Sequence, residues 1–304
     1  MTTRTAPGPT AFVLMLLLCC LWGMQQVAAK VAMPVVSPIW QSGLRSLLAL
    51  IGLSLWAAWR RQPLWQRDAT VPAGLVAGSL FAIEFALLFL GLTWSSASRM
   101  VLFLYLGPCL TVLGLHFWVP GEHMRGRQFA GVALAFIGVL VAFADRAGNP
   151  HELAWLGDLC GILAAVAWAA TTVWIRATSL ARINAGRVLG YQLAVSTVTL
   201  LPLAALVEPG GLRLFAGWTE AHPIALLSLV YQGLIVAFAS YLTLFWLLTR
   251  YLAGRLAVFS FLTPLFGVAF GVLLLGDAFT PTFAAAVLGV VAGIVLVNWP
   301  GKAA

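Results

Sequence analysis

Ten apolar runs fill this chain and leave only short polar connections between them. They lie at about 11–29, 39–59, 71–92, 100–119, 128–144, 153–175, 188–207, 224–248, 256–275 and 283–299. A helix needs roughly 20 apolar residues to cross the hydrocarbon of a bilayer. In lipid only helices and closed barrels satisfy their own backbone hydrogen bonds. A barrel would read as short alternating segments, and none appear. Charged residues make up 9% of the chain, against about 25% in an ordinary soluble domain. The expectation is an all-α membrane protein with ten transmembrane helices.

Part of the chain is written twice. Leu92-Thr93, Arg99, Phe103, Leu106 and Pro108 return as Leu248-Thr249, Arg255, Phe259, Leu262 and Pro264, each 156 positions on. Trp22, Val27 and Lys30 return as Trp168, Val173 and Arg176, 146 positions on. Gly121-Glu122 matches Gly276-Asp277, and Gly138 matches Gly293, 155 positions on. Each copy holds five runs. Because five is odd, the second copy enters the membrane in the opposite sense, which is the pattern of inverted-repeat carriers. The chain therefore divides into a first five-helix repeat at 11–145, a connecting loop at 146–152 and a second repeat at 153–299. Residues 1–10 are expected to be a disordered cytoplasmic N-terminus and 300–304 a cytoplasmic tail. The first run imitates a secretory signal, but it is long for one, and its echo at Trp168–Arg176 marks it as a span.

The formal charge is +8, and its distribution speaks for topology rather than nucleic acid. With the N-terminus inside, twelve of the 17 lysines and arginines fall in inner segments. Four (Lys30, Arg99, Arg146 and Arg213) fall in outer ones, and Arg45 lies within a span. An excess of basic residues on the cytoplasmic side orients the chain with both termini inside.

Eleven of the thirteen tryptophans sit near span ends or in loops, where amphipathic rings suit the membrane interface. The other two, Trp22 and Trp168, are mates in the repeat and lie well inside their spans. Four residues beyond them come Gln26 and Thr172, on the same helix faces. Two readings stand: a cavity facing an amphipathic organic solute from both halves, or core packing. Arg45 and Glu84 are intramembrane charges, both roughly 10–12 Å from the outer ends of their helices at 1.5 Å per residue. Such charges face protein, water or each other. They are candidates for a substrate-carboxylate site and a proton-coupling site, or for a structural ion pair. The mate of Glu84 is Ser240, so this site is charged in one half only. Tyr105, Gln232, Ser240 and Tyr241 are further mid-span polar groups assigned to the central cavity. Pro108 and Pro264 remove backbone donors and are expected to kink spans 4 and 9, as hinges or as plain structural bends.

The four cysteines lie in apolar runs without a CxxC, and the four histidines show no metal-ligand spacing. HExxH, P-loop and nucleophile-elbow patterns are missing from the sequence. No metal, cofactor or catalytic residue is expected, and a transporter is favoured over an enzyme. A membrane enzyme acting on lipid-linked substrates is the alternative of another class, and it would need clustered carboxylates or histidines at one interface. Gly74/Gly78, Gly157/Gly161 and Gly267/Gly271 suggest close helix packing. Gly289/Gly293 is a hint of a dimer contact in a chain otherwise expected to be monomeric.

Ten spans in two inverted units, Trp22-Gly23 in span 1, a proline-bearing fourth span and Gly121-Glu122 before span 5 resemble the drug/metabolite transporter superfamily. Its EamA-type exporters are the nearer likeness, and within them YddG-type exporters of aromatic and other neutral amino acids. The second half departs in having Trp168-Ala169 and Gly276-Asp277 at the matching places. The resemblance implies a central cavity lined by spans 1, 3, 4, 6, 8 and 9, with spans 5 and 10 behind. It also implies an alternating-access exporter of amino acids, or of drugs or other metabolites, in a bacterial inner membrane.

Overall fold

The structure, a computed structural model, describes residues 8–66, 68–145, 151–214, 219, 221–251, 256 and 258–299. The stretch 1–7, most of the 146–152 connection, Arg255 and the tail at 300–304 lie outside the described residues. Span 1 is Pro9–Ala32, span 2 Pro38–Trp59 and span 3 Val71–Trp94. Span 4 is two helices, Ala97–Leu104 and Gly107–Trp118. Span 5 is Gly126–Ala144, span 6 Ala154–Ala177 and span 7 Ala185–Val207. Span 8 runs from Ala221 through a π-helical stretch, Tyr231–Ser240, to Arg250. In span 9 the described residues are a helical Leu256, a 3-10 turn, Val258–Phe261, and the helix Leu262–Leu275; span 10 is Pro281–Asn298. The ends carry local signals. Proline stands in the first turn of spans 1, 2, 3 and 10, where its missing donor is harmless. Ser96, Asn184 and Thr280 accept backbone hydrogen bonds as N-caps. Gly276 ends span 9 at φ 70°, in the left-handed region.

Span 3 serves as a ruler for the inversion. Lys30, near the end of span 1, reaches the carbonyls of Leu92 and Ser95 at the end of span 3. Trp174, near the end of span 6, donates instead to Ala73 at the start of span 3. Spans 1 and 6 are repeat mates, so mates run in opposite senses. The same holds where mates touch. Ser46 pairs with Ser196 while Glu208, past the end of span 7, caps the start of span 2. Val101 meets Gly267 and Ser98 meets Gly271, and Gly131 meets Gly293 while Gly138 meets Ala286. Exchanging the halves leaves the neighbour pattern intact: span 1 packs on spans 8 and 9, and span 6 on spans 3 and 4. The fold is ten transmembrane helices in two inverted five-helix repeats. Leu55, Leu206 and Leu273, each at least two-thirds exposed, belong to its lipid-facing surface.

Spans 5 and 10 pack through glycine. A Cβ on Gly293 would lie 2.6 Å from the Gly131 carbonyl oxygen, and one on Gly289 would lie 3.2 Å from the Gly138 Cα. The glycine pair read as a dimer hint is therefore consumed inside the chain. Small residues were placed there to bring two backbones of the same molecule together.

Arg99, read as a residue at the start of span 4, proves to be buried there. It is 2% exposed. Its Nη2 and Nε bond Asp158 at 2.5 and 3.2 Å, and its remaining donors reach the Ala142 and Asp145 carbonyls. Ser95 completes the shell by donating to Asp158 at 2.7 Å. This buried pair ties together the starts of spans 4 and 6 and the end of span 5. At the opposite face Thr70 and then Arg187 donate to Asp68 and hold its carboxyl down at about 2, so that clasp stays charged at any ordinary pH. Removing one partner of a buried pair leaves the other uncompensated, at about 3–5 kcal/mol. Arg99→Met should therefore lower the melting temperature in detergent sharply, and Arg99→Met with Asp158→Leu should recover much of the loss.

Candidate functional site

A cavity of about 410 Å³ lies on the seam between the halves. Its walls include repeat mates facing one another: Trp22 and Trp168, Phe85 and Tyr241, Leu88 and Leu244, and Leu104 and Ser260. The cavity thus straddles the pseudo-two-fold axis. Along span 8 its lining continues to Leu248, two residues from the helix end at Arg250. On span 1 the lining stops at Gln26, six residues short of Ala32. The space therefore extends from mid-membrane toward the face that holds Gly8 and Trp299, and polar contacts close the other end.

Local backbone irregularity shapes the walls. Pro108 cannot donate, and the helix of span 4 breaks at Tyr105-Leu106 before restarting at Gly107. The break turns Tyr105 edge-on to Trp168, with ring centroids 5.5 Å apart. Gly107 lies under the Trp168 ring, where an added Cβ would come within 2.5 Å of Cε3. Across the seam, the π-helical stretch of span 8 carries Ser240, which accepts from the Trp22 indole at 2.8 Å. Wide helical turns of this kind recur at functional sites.

Two kinds of polar group meet here. The first is satisfied. Gln232 donates to Gln41 at 3.2 Å and to Ser228 at 2.8 Å, and accepts from Gln25 at 3.4 Å. This amide chain locks spans 1, 2 and 8 together at the closed end. The second kind is unsatisfied. Arg45 is 1% exposed, its guanidinium lies 3.8 Å over the Phe85 ring, and its Nε and Nη1 find no acceptor. The Oε1 atoms of Gln25 and Gln26 are likewise buried without donors. Glu84 lines the same cavity and acts on Arg45 electrostatically, without a direct ion pair. Buried polar atoms are almost always paired. Four lone ones around one cavity single it out as the candidate site.

The EamA-like transporter family matches this sequence twice, over residues 9–144 and 155–299. This chain belongs to that family. An Escherichia coli (strain K12) protein called a probable amino-acid metabolite efflux pump is 27% identical over 270 residues, covering 88% of each chain. The Bacillus subtilis (strain 168) uncharacterized transporter YvbV is 27% identical over 309 residues, covering 99% of this chain and 93% of its own. A solved crystal structure, 20% identical, matches with a TM-score of 0.66 over 97% of this chain and 98% of that one, which shows a shared fold.

In this EamA-like chain, Trp22, Gln26, Arg45, Glu84, Tyr105, Pro108, Trp168 and Tyr241 line the cavity. Thr172, Gln232, Ser240 and Pro264 are not among its lining residues. Thr172 donates to the Trp168 carbonyl of its own helix, the usual refuge of a threonine hydroxyl in an apolar span. Gln232 is spent in the amide chain and Ser240 on Trp22. Pro264 is buried in the first turn of Leu262–Leu275, directly behind the 3-10 turn Val258–Phe261, so it stands at a change of helix type within span 9, as Pro108 stands behind the break in span 4. The direct Arg45–Glu84 pair does not form. Its guanidinium stacks on Phe85 instead, and through it span 2 joins the cavity wall. Phe85 and Gln25 were missed; Phe85 stands 156 positions before Tyr241, and that offset was signal enough to find it. Gln26→Leu removes an unpaired buried group and should leave the melting temperature unchanged or higher. Gln232→Leu strands its partners and should lower it, by about 1–3 kcal/mol of stability. Thermal unfolding of the two purified variants checks the contrast.

Proposed function

We propose that this chain exports small organic solutes, most of all aromatic and other neutral amino acids, from a bacterial cytoplasm across the inner membrane by alternating access. The observation that carries the reading is the cavity on the seam, walled by repeat mates and holding unpaired polar groups beside aromatic faces. The name of the Escherichia coli relative, a probable amino-acid metabolite efflux pump, supports the cargo. The face toward which the cavity extends carries Arg60, Arg61, Arg125, Arg127, Arg176, Arg182 and Arg250. By the positive-inside rule that face is cytoplasmic, both ends of the chain lie there, and the present conformer is inward-facing.

Arg45 holds the solute carboxylate on its unpaired Nε and Nη1, a charge-assisted contact. Glu84 faces the ammonium, and Trp22, Trp168 and Tyr105 receive the side chain. A guanidinium already stacked on Phe85 is held in place, so little rotamer freedom is lost on binding.

Uptake of a radiolabelled amino-acid panel into proteoliposomes tests the reading. Trp22→Ala and Trp168→Ala should each slow uptake about tenfold, the scale of one aromatic contact with its burial, while the protein stays folded. Unchanged rates in both would remove the cavity from the pathway. Arg45→Gln should raise the half-saturating amino-acid concentration tenfold or more, since a hydrogen bond to a charged group contributes about 1.5–3 kcal/mol. The decarboxylated amine should lose its disadvantage in the same variant. Flux of a different metabolite class with no amino-acid flux would place the chain elsewhere in the superfamily.

A further inference from the structure

Four charged residues outside the cavity stand in a relation that the repeat makes explicit. Lys30 and Arg176 are mates, 146 positions apart; Glu122 and Asp277 are mates, 155 apart. At the outer face, Lys30 Nζ donates to the Leu92 and Ser95 carbonyls, at 2.5 and 2.7 Å. These carbonyls belong to the C-terminal end of span 3, where helix acceptors are orphaned and the dipole favours a cation. Asp277 stands within electrostatic range of Lys30 but accepts from the Ser98 backbone, at 2.8 Å. At the inner face the mate takes the other choice. Arg176 bonds Glu122 through Nη2 and Nε, at 2.8 and 3.1 Å.

The mates of Leu92 and Ser95 are Leu248 and Tyr251, at the end of span 8. Their carbonyl platform is already built. Ser95 ends span 3 at φ −110°, ψ 162°, with its amide on Gly91; Tyr251 ends span 8 at φ −118°, ψ 162°, with its amide on Leu247. Leu248 also lines the cavity, at the end that reaches the inner face.

We infer that Lys30, Asp277, Arg176 and Glu122 are positioning residues that form two mirror-related latches, which exchange partners when the cavity changes the face it opens to. This rests on the transport reading above. In the present state Lys30 on the span 3 carbonyls fastens span 1 to span 3 and shuts the outer end. Arg176 is parked on Glu122, and the inner end stays open. In the opposite state Arg176 moves to the Leu248 and Tyr251 carbonyls, fastening span 6 to span 8, and Lys30 parks on Asp277. Each face trades one carbonyl-bound cation for one ion pair, so the exchange conserves the kinds of contact and neither state is favoured by contact count. Arginine at the inner site has the fixed fork of donors that two carbonyls require.

The test is a single cysteine, Leu244→Cys, in a chain whose four native cysteines are replaced by alanine. A membrane-impermeant methanethiosulfonate is applied to inside-out and to right-side-out vesicles, and the ratio of outer to inner labelling rates is read. Lys30→Met should raise the ratio about tenfold, because the carbonyl grip removed from the present state outweighs the exposed ion pair removed from the opposite one. Arg176→Met should lower it by a similar factor, and Glu122→Gln, which releases Arg176, should raise it. Lys30→Gln and Arg176→Gln keep the same signs should either methionine variant fail to accumulate. Shifts of the same sign for Lys30 and Arg176, or ratios that do not move, would overturn the latches. Labelling needs no solute, so absent amino-acid flux with opposite-signed shifts would reject the cargo and leave the latches standing.

Discussion

Parity governs this molecule. A unit of five membrane-spanning helices ends on the opposite side of the bilayer from where it began. A duplicate joined by a short connection must therefore enter upside down. Lipid enforces the rest, because every span has to close its own backbone hydrogen bonds and loops are confined to the two faces. Antiparallel contact between mates follows without further instruction: span 2 on span 7, span 4 on span 9, span 5 on span 10. The cavity then has one natural place, at the axis where mates from the two halves face each other.

Symmetry supplies the frame and its breaking supplies the chemistry. Trp22 is held by Ser240, whose mate is Glu84, so one half spends its polar group on fixing an indole and the other leaves a carboxylate in the cavity. The Arg99–Asp158 clasp at the outer face has no ionic counterpart in span 1, where Phe12 occupies the place that matches Asp158 and meets the Phe259 ring edge-on. The buried amides divide in the same manner. Gln232 and Gln41 hold helices together, while Gln26 and Arg45 keep buried polar atoms unpaired. Such groups cost stability when no partner is present, which sets them apart from the amides that hold the helices together.

Much of this was legible in the residues, for physical reasons that differ from element to element. Apolar length and the 156-residue echo reveal the spans and their inversion because lipid leaves few alternatives. The tryptophan mates point to the axis because an indole deep in a span is out of its usual place. Polar residues at mid-span were less readable. Period alone does not say whether Thr172 bonds its own helix or Gln232 bonds its neighbours, since both patterns look alike in one dimension. The Arg99 burial was hidden because its partner, Asp158, lies 59 residues away in another half. The widened helix of span 8 has no sequence mark at all.

A rocking carrier with a seam passage requires that its two faces open in alternation. Spin labels at Met33 and Thr93 report the outer face, and their mates Ser179 and Thr249 report the inner one. Pulsed dipolar distances in each pair, measured in nanodiscs with and without a saturating amino acid, test this most directly. The account predicts that whatever lengthens the Met33–Thr93 distance shortens the Ser179–Thr249 distance. Two distances that vary independently, or lengthen together, would contradict it.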